Sequence, residues 1–535
     1  MLICTALVLH LIYYWRPRIC PYIATGIISL SFISALILLV KVIHSPNGYL
    51  EYFAGHSWSG QRYLASGQPI GIVVRTDLFG ALIAALVTGL GTLASIYSKH
   101  YIPHTIKTSN IGYYYCLLVL MIAGMAGICL TGDCFNFYVF LEVASISSYG
   151  LVAMPQTKQS LEAAFKYMVV GALGSILLVF GIVLLFSATG TLNMAYAAQQ
   201  VHKIVTAPPG NPLHNFRHLV FASLGMFIIG LSVKSAFFPA HAWLADAHPA
   251  APSSISALLS GLMVKSTGVF LFIRFLFTVF GLHKHEYGML LAPLLMIIAV
   301  ITILGGSVFA IAQNDIKRML AYSTVAQMGY ILMGVSLISP AGLEGAILHI
   351  FNHALMKSLL FMSAGALIYK TGIRDIREMS RIGYRMPVTM VCFTVAAMSM
   401  IGIPPLNGFM SKWALAKAAL DANLPMLVVV LLISSLLNAV YYFRVVGTAF
   451  FGRAQQHEEI PHADIIRNNH GHSLLQNSYG YYSLADKDRP NENEQELPWG
   501  MLMPLIILAA AILFFGVKVG ILREIIRPAV QVLWR

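Results

Sequence analysis

Charged residues are scarce in this sequence. Asp, Glu, Lys and Arg make up only 10% of its 535 residues, whereas hydrophobic residues make up 58%. Because so few charges cannot cover the surface of a globular protein of this length, an ordinary soluble protein is excluded. The formal net charge of +13 does not indicate nucleic-acid binding, because the basic residues lie mostly in short loops between apolar segments.

Paired cysteines and nucleotide-binding motifs are also missing from the sequence. The six cysteines are scattered singly in or beside apolar segments, so no CxxC pair, iron–sulfur ligand set or disulfide framework is predicted. No P-loop and no dinucleotide fingerprint occurs. We therefore expect no cofactor, no metal and no redox centre in this chain, and any driving reaction would take place on other chains.

The sequence instead contains a series of apolar runs long enough to cross a bilayer. We predict an all-α polytopic membrane protein with about fourteen transmembrane helices, two of them broken. The predicted spans are residues 1–14, 20–43, 72–97, 112–131, 134–154, 163–187, 218–239, 253–280, 289–312, 319–339, 342–368, 388–418, 424–450 and 499–519. Odd-numbered loops carry more Lys and Arg, although Arg62, Lys203, Arg217 and Lys284 in even-numbered loops weaken the contrast. The positive-inside rule therefore predicts that both termini lie outside.

Two stretches of the sequence match at a fixed offset of 182 residues. The matching pairs are Glu162 and Glu344, Thr189 and Thr371, Gly190 and Gly372, and Asp133 and Asp315. Five predicted spans separate equivalent positions, and an odd number reverses direction in the membrane, so we predict two inverted five-helix repeats. The predicted divisions are N-terminal helices (1–111), a first repeat (112–280), a second repeat (289–450), a polar loop (451–498) and a C-terminal helix and tail (499–535).

The one long polar insert covers residues 452–498. Its four histidines are His457, His462, His470 and His472. Histidines in such a tract are compatible with metal binding, but we predict a flexible, solvated connection between the last two spans.

Two lysines lie within apolar segments of the stretch 231–274. Lys234 and Lys265 each have many apolar residues on both sides, and Pro239 interrupts the first segment. A lysine at the centre of a bilayer costs roughly 2.5–3.5 kcal/mol on insertion scales, so such residues are rare and line a water-filled path or a paired site. The broken helices of transporters place ion sites in this way. The alternative is that both lysines reach from helix ends to the headgroups.

A carboxylate and a third lysine also lie in apolar surroundings. Glu142 follows an apolar run, where it would be protonated or paired, and a structural ion pair is the alternative to a functional role. Lys412 comes after Pro404 and Pro405, which break a second predicted helix. Ion transfer is the function that these residues indicate.

Three further residues recur at four-residue spacing. His349, His353 and Lys357 therefore line one face of a helix. Because histidine exchanges protons near neutral pH, we predict a proton relay. Half of a metal site and a structural, hydrogen-bonded histidine are the alternatives, and no third metal ligand is apparent.

Three motifs carry a family resemblance. They are Phe238-Pro-Ala-His-Ala-Trp-Leu-Ala-Asp-Ala-His-Pro followed by Gly261-Leu-Met-Val-Lys265, His349-Ile-Phe-Asn-His353-Ala-Leu-Met-Lys357, and Ile403-Pro-Pro-Leu-Asn-Gly-Phe-Met-Ser-Lys412. Over roughly residues 70–450 the chain resembles the antiporter-like subunits of respiratory complex I, membrane-bound hydrogenases and Mrp-type cation/proton antiporters. Asp133-Cys-Phe-Asn-Phe-Tyr-Val-Phe-Leu-Glu142 is most similar to the D subunits of Mrp antiporters and their hydrogenase relatives. The short first span and the long polar insert depart from the family pattern, which affects the expected partner contacts.

The resemblance implies a line of polar residues across the middle of the membrane. In this line Glu142 pairs with Lys234, Lys265 and His349 form the central relay, and Lys412 is the terminal group. The supporting positions are His353, Lys357, His241, Asp246 and His248.

The resemblance also implies a function and a setting. We expect a proton-translocating subunit of a multisubunit Mrp-type antiporter that exchanges a monovalent cation such as Na⁺ for protons. Its partners would be other membrane subunits and the lipid bilayer of the prokaryotic cell (inner) membrane, without nucleic acid. The alternative is the proton-pumping arm of a complex I-like or hydrogenase-type redox complex. A stand-alone structural scaffold is a weaker third hypothesis, because the buried charges would be costly in it.

Overall fold

The computed structural model describes residues 1–45, 48–54, 72–452, 466–467, 473–477, 480–483 and 496–534. Within these residues the chain is almost entirely helical. The α-helices are α1 Leu2–Trp15, α2 Cys20–Ile43, α3 Leu78–Tyr101, α4 Ile111–Leu130, α5 Cys134–Ala153, α6 Lys158–Thr189, α7 Met194–Thr206, α8 Arg217–Lys234, α9 Ala242–Ala250, α10 Ser253–Leu258, α11 Phe270–Ile273, α12 Glu286–Ile311, α13 Ile316–Ser336, α14 Pro340–Thr371, α15 Ile382–Arg385, α16 Pro387–Ile401, α17 Asn407–Asp421, α18 Pro425–Phe451, α19 Trp499–Val517 and α20 Val519–Trp534. Two π-helical segments, Leu259–Val269 and Arg274–Val279, continue α10 and flank α11.

Eleven helices of the described chain are long and apolar enough to cross a membrane. They are α2 to α6, α8, the continuous run Ser253–Lys284, α12, α14, α18 and α19. In a bilayer a helix satisfies its own backbone hydrogen bonds, which makes it the favoured spanning element. The chain is therefore a multi-pass integral membrane protein of the all-α class, as predicted.

The count of fourteen spans stays a prediction. Helix α1 is apolar but has only 14 residues, and the predicted segment 388–418 is divided between α16 and α17. Helix α13, over the predicted segment 319–339, has 21 residues but is less apolar than the eleven.

The predicted span at residues 72–97 begins too early. Residues Ile72–Asp77 form strand β2, which pairs antiparallel with β1, Tyr49–Ala54. β-branched residues dominate β2 and favour a strand. Asp77 then caps α3, because its carboxylate accepts a hydrogen bond from the Gly80 backbone N–H at 2.9 Å.

Part of the polar insert is more regular than the predicted flexible connection. Strands β3 Ile466–Arg467, β4 Ser473–Asn477 and β5 Gly480–Ser483 form a small antiparallel sheet. Tyr and Ile residues in these strands have high β-propensity. The prediction of a flexible connection used the composition of the whole insert, which is mostly polar, and so did not detect them. The four histidines of the insert, at 457, 462, 470 and 472, lie outside the described residues.

The predicted offset of 182 residues recurs in the helix bounds. Helices α6 and α14 both have 32 residues, and their first and last residues differ by this offset. Each ends at a glycine in the left-handed conformation, Gly190 with φ 70° and Gly372 with φ 73°, which glycine adopts without strain. Asp133 bridges to Asn193 in the first half, and Asp315 to Asp375 at the equivalent positions of the second.

Helix α14 lies at the centre of the bundle. Every residue from Gly345 to Leu367 is buried, and the helix packs against α10, α13, α16, α17 and α19. Gly261 allows a close approach to this helix, since a Cβ added there would lie 2.4 Å from Ser358 Oγ. A central helix without a lipid-facing side places its polar residues inside protein.

Two amphipathic helices are absent from the predicted spans. Helix α7 buries Ala197, Val201 and Ile204. Helix α20 buries Leu522 and Ile526, and its arginines Arg523 and Arg527 each place Nε 3.3 Å from a carboxylate oxygen of Glu344 at the start of α14. Both helices are too polar on one face to resemble a spanning segment.

Candidate functional site

The first helix break begins earlier than the sequence predicts. Helix α8 ends at Lys234, five residues before Pro239, and α9 begins at Ala242. The freed carbonyl of Val233 accepts a hydrogen bond from Trp243 Nε1 at 3.1 Å, so a side chain satisfies backbone that the break exposes. Lys234 therefore lies at a helix C-terminus and not in mid-helix. The partial negative charge of that terminus favours an ammonium group.

Glu142 and Lys234 belong to one cluster but do not touch. Lys234 Nζ donates to Ser145 Oγ at 3.1 Å, and the Ser175 hydroxyl donates to Glu142 Oε1. Glu142 and Ser145 lie one turn apart on α5, so the carboxylate still acts electrostatically on the ammonium group. No ion pair between Glu142 and Lys234 occurs in the described part of the chain. The predicted pairing is thus indirect, because Ser145 takes the lysine's hydrogen bond.

Lys265 lies in the π-helical segment Leu259–Val269 and is 1% exposed. Its Nζ donates to the Ser260 carbonyl oxygen at 2.5 Å. The two residues are five positions apart, the spacing at which a π-helix pairs its own backbone groups. An ammonium group has three protons to donate, and this carbonyl is the one acceptor that the described chain offers it. The Ser260 hydroxyl in turn lies 2.7 Å from Thr324 Oγ1 on α13.

The π-helical segment also packs directly against the first break. A Cβ added at Gly268, one turn beyond Lys265, would lie 2.6 Å from Ser235 Oγ. Ser235 is the residue after Lys234. This close approach therefore brings the two lysine-bearing elements side by side.

His349 on α14 is close enough to Lys412 and Lys265 for both charges to act on it. Its ring nitrogens lie 2.9 Å from Ser411 Oγ and 3.0 Å from Gln327 Oε1. The ring is fully buried. A histidine with a polar partner at each nitrogen is held in position and can receive a proton at one side and release it at the other.

Lys412 occupies the second helix break. Helix α16 ends at Ile401 and α17 begins at Asn407. Lys412 Nζ donates to the carbonyl oxygens of Met400 at 2.8 Å and Ile401 at 3.0 Å, and to Ser435 Oγ at 3.0 Å. The ammonium group therefore caps the C-terminus of α16. Lysine and proline occur in opposite order in the two breaks, yet in both the lysine lies at the C-terminus of the first half-helix.

Lys357 connects this row to α18. Its Nζ donates to the Leu320 carbonyl oxygen and to Ser323 Oγ, both at 2.8 Å. The Tyr441 hydroxyl donates to Asn438 Oδ1 at 2.6 Å and lies 3.0 Å from Ser323 Oγ, whose hydroxyl can donate to it. Helix α18 also carries Ser435, the partner of Lys412. A hydrogen-bonded path therefore leads from Lys357 toward the second break.

His353 and His248 are fully buried beside this path. The His353 ring stacks on His349 with centroids 5.8 Å apart, and the His248 ring on Phe361 at 4.7 Å. Neither ring has a hydrogen-bond partner among the described residues. No group of three or more His, Cys, Asp or Glu in the described ranges can hold a metal ion, so the half-site alternative gains no third ligand.

Two predicted supporting residues lie away from the central row. The Asp246 side chain is 36% exposed, and its oxygens lie 3.7 Å from Lys166 Nζ and 3.8 Å from Arg318 Nη2. It lines a charged surface cavity of about 280 Å³. His241 is half-buried and stacks on Phe238 with centroids 5.1 Å apart. In the sequence both residues lie close to Lys234, but at the first helix break the chain carries them toward the surface.

Three buried charged residues are missing from the sequence prediction. The sequence places Lys317 in a loop, but it is 4% exposed and donates to the Ala251 carbonyl oxygen at 2.5 Å. Arg274 forms a bidentate ion pair with Asp77, with one contact at 2.8 Å. Both members of this pair lie in predicted spans. An acidic residue within one apolar span and a basic residue within another are the sequence signal that could have identified the pair. The neighbours of Lys317 are polar, so no such signal surrounds it.

Comparisons with known proteins assign the family. The family described as NADH:quinone oxidoreductase/Mrp antiporter, TM, matches residues 131–438. Over 470 residues the chain is 35% identical to the N subunit of NADH-quinone oxidoreductase from Desulforudis audaxviator, a match that covers 86% of this chain and 85% of that protein. Over 392 residues it is 33% identical to the D subunit of the Na(+)/H(+) antiporter from Alkalihalophilus pseudofirmus, covering 73% of this chain and 76% of that protein.

A solved structure supports the same architecture. A chain in the structure of the Mrp complex from Dietzia sp. DQ12-45-1b matches with a TM-score of 0.82 at 24% identity, over 100% of this chain and 96% of that chain. At this identity the likeness shows the fold alone. The family resemblance predicted from the three motifs is confirmed. The chain belongs to the NADH:quinone oxidoreductase/Mrp antiporter transmembrane family and is an antiporter-like membrane subunit.

Proposed function

We propose that this chain is a proton-translocating subunit of a multisubunit Mrp-type antiporter, which exchanges a monovalent cation such as Na⁺ for protons. Protons move along a row of buried groups in the middle of the membrane. The row consists of Glu142, Lys234, Lys265, His349 and Lys412. A relative named as the D subunit of a Na(+)/H(+) antiporter, which is 33% identical, supports this proposal.

The observation that carries the proposal is the continuity of the row. Ser145 connects the Glu142 side of α5 to Lys234, and Ser235 packs on the turn after Lys265. Lys265 acts electrostatically on His349, and the Ser411 hydroxyl that contacts His349 neighbours Lys412. Each step joins two elements that are distant in sequence, which supports the proposal of a single row.

A proton is passed along such a row because each charged group changes how strongly its neighbour holds a proton. In a low-dielectric interior, a proton that arrives on one lysine repels the proton on the next. The Lys412 ammonium group lies at the C-terminus of α16 and the Lys234 ammonium group on the Ser145 hydroxyl, and these carbonyl and hydroxyl oxygens can release the lysines to a new partner. His349, on which the charges of Lys412 and Lys265 both act, can accept from one and donate to the other.

The same proposal includes the setting. The partners are other membrane subunits of a hetero-oligomeric complex, and the membrane is the inner membrane of a prokaryotic cell, with both termini outside. The supporting positions are His353, Lys357 and His248, which lie beside the row, and His241 and Asp246, which lie away from it and would act nearer the surface.

A second candidate function is the proton-pumping arm of a redox-driven complex. The observation that favours it is the 35% identity to a protein named as the N subunit of NADH-quinone oxidoreductase. In that case the same row of residues would move protons, but the driving reaction would take place on other subunits.

Everted vesicles that contain the chain with its neighbouring subunits test the proposal. Addition of Na⁺ should dissipate a preformed pH gradient, and Glu142→Ala should abolish this exchange while the protein still inserts. The matched control is Glu162→Ala, because the Glu162 side chain is 58% exposed and should be dispensable. A pH gradient that forms only on addition of an electron donor, with no response to Na⁺ or K⁺, would favour the redox-driven complex. Full exchange by Glu142→Ala would contradict the relay.

A further inference from the structure

Basic residues of two even-numbered loops, at the end of α7, the start of α8 and the start of α12, lie at one end of the bundle. His202 lies near the end of α7, Arg217 begins α8, and Lys284 and His285 precede α12. The His202 and His285 rings have centroids 5.2 Å apart. The sequence has no Asp or Glu over residues 163–245, so the α7–α8 side contributes no counter-charge.

Aromatic rings join these residues into one surface. The Tyr287 ring lies 5.3 Å from the His285 ring and 5.4 Å from the Phe221 ring, measured between centroids. The Arg217 guanidinium carbon lies 5.5 Å from the centre of the Phe221 ring. An open cavity of about 610 Å³ lies on this surface, lined by His214, Asn215, Arg217, His218 and Phe221. We call the surface formed by His202, Lys203, His214, Arg217, His218, Lys284 and His285 the basic patch.

The electrostatic environment of the patch favours an anion. Burial, and then the charges of His202, Lys284 and Arg217, hold the pKa of His285 below its usual range. In the connection 281–286 the one carboxylate, Glu286, is exposed. Cations that repel one another become more stable when a phosphate or carboxylate lies between them.

The apolar surface beside the patch indicates which anion fits. Helices α8 and α12 both begin at the patch and then present apolar side chains outward. Their outward side chains include Ile229, Met289, Leu290 and Ile297, which are 55%, 73%, 80% and 58% exposed. Aromatic and basic residues above an apolar flank are typical of the headgroup level of a membrane.

We propose that the basic patch binds the phosphate group of an anionic phospholipid, whose acyl chains lie along the outward flanks of α8 and α12. A soluble anion would use the same cations but would gain nothing from the apolar flank. The proposal does not depend on the proton relay, because none of the patch residues belongs to the row. It also accounts for basic residues on the side that the positive-inside rule leaves poor in charge.

Native mass spectrometry of the full-length protein, titrated with single phospholipids, tests the proposal. Phosphatidylglycerol should bind the parent protein more tightly than phosphatidylcholine. The double variant Arg217→Gln, Lys284→Gln should bind phosphatidylglycerol roughly 25-fold more weakly, because each of the two basic residues contributes about a fivefold preference for anionic lipid at a membrane surface. The matched control is Lys107→Gln, Arg385→Gln, which removes two exposed charges elsewhere and should leave binding unchanged.

Three outcomes would overturn the assignment. The first is unchanged phosphatidylglycerol binding by the Arg217→Gln, Lys284→Gln variant at unchanged thermal stability. The second is equal binding of phosphatidylcholine, which would make the site merely apolar. The third is inorganic phosphate that binds the patch as tightly as the lipid and displaces it, which would make the patch a site for soluble anions. Arg217→Lys keeps the charge and should retain binding, which separates loss of the site from loss of the fold.

Discussion

Lys412 hydrogen-bonds the exposed backbone at the second helix break, so its replacement should lower the stability of the protein by an amount that can be estimated. Its ammonium group is the donor to the last two carbonyl groups of α16 and to Ser435, at 2.8–3.0 Å. Lys412→Met keeps most of the side-chain volume but leaves the Ile401 carbonyl without a donor and the Met400 carbonyl with only Asn438 Nδ2, at 3.5 Å. Since each buried unpaired acceptor costs about 1–3 kcal/mol, we expect the variant to lose roughly 2–4 kcal/mol of unfolding free energy and all exchange activity.

Lys412→Arg separates charge from proton release. Arginine keeps the charge and the donors, but its guanidinium group stays protonated in proteins. We therefore expect the variant to keep most of its thermal stability while cation/proton exchange is lost. The matched control is Lys417→Arg, because Lys417 lies exposed on the same helix.

The assay has two parts. Thermal unfolding of the purified protein measures stability, and Na⁺-induced decay of a pH gradient in everted vesicles measures exchange. If Lys412→Arg exchanged at the parent rate, release of a proton from this lysine would not be part of the cycle. If Lys412→Met were as stable as the parent, the carbonyl groups of α16 would have another partner.

Two further predictions concern the elements that position the row. Arg274→Ala should lower the free energy of unfolding by roughly 3–5 kcal/mol, because it leaves Asp77 buried without its partner. The double variant Asp77→Ala, Arg274→Ala should be more stable than Arg274→Ala alone. A double variant less stable than the single variant would contradict this reasoning. Gly268→Ala should separate the two lysine-bearing elements, lower the free energy of unfolding by about 1–3 kcal/mol and reduce exchange. The control Gly225→Ala should be tolerated, because nothing lies within 4 Å of the added Cβ. Equal exchange rates in these two glycine variants would show that the close approach of the elements is not needed.

The residue types of the row could be predicted from sequence because buried charge is conspicuous. Lys234, Lys265 and Lys412 stand out against apolar neighbours, and the prolines mark the two breaks. The long apolar runs likewise predict the all-α membrane fold. These signals are local, so they require no knowledge of which helices meet.

The contacts of these residues could not be predicted in the same way. The serine between Glu142 and Lys234, and the carbonyl groups that receive Lys412, are brought near by packing between distant segments. Lys317 shows the limit clearly. Its neighbours Asp315 and Arg318 are typical of a loop, and it is buried only because the end of α9 lies against it. Local sequence does not encode that contact.

The central claim is that Lys265 and His349 belong to one relay that joins the two halves of the chain. The most direct test measures cation/proton exchange by the complete complex in proteoliposomes with Lys265→Ala, His349→Ala and the double variant. Groups that act as a unit have non-additive effects. The account predicts that each single variant abolishes exchange and that the double variant is no worse. Partial losses that multiply in the double variant would show independent roles and would contradict the relay.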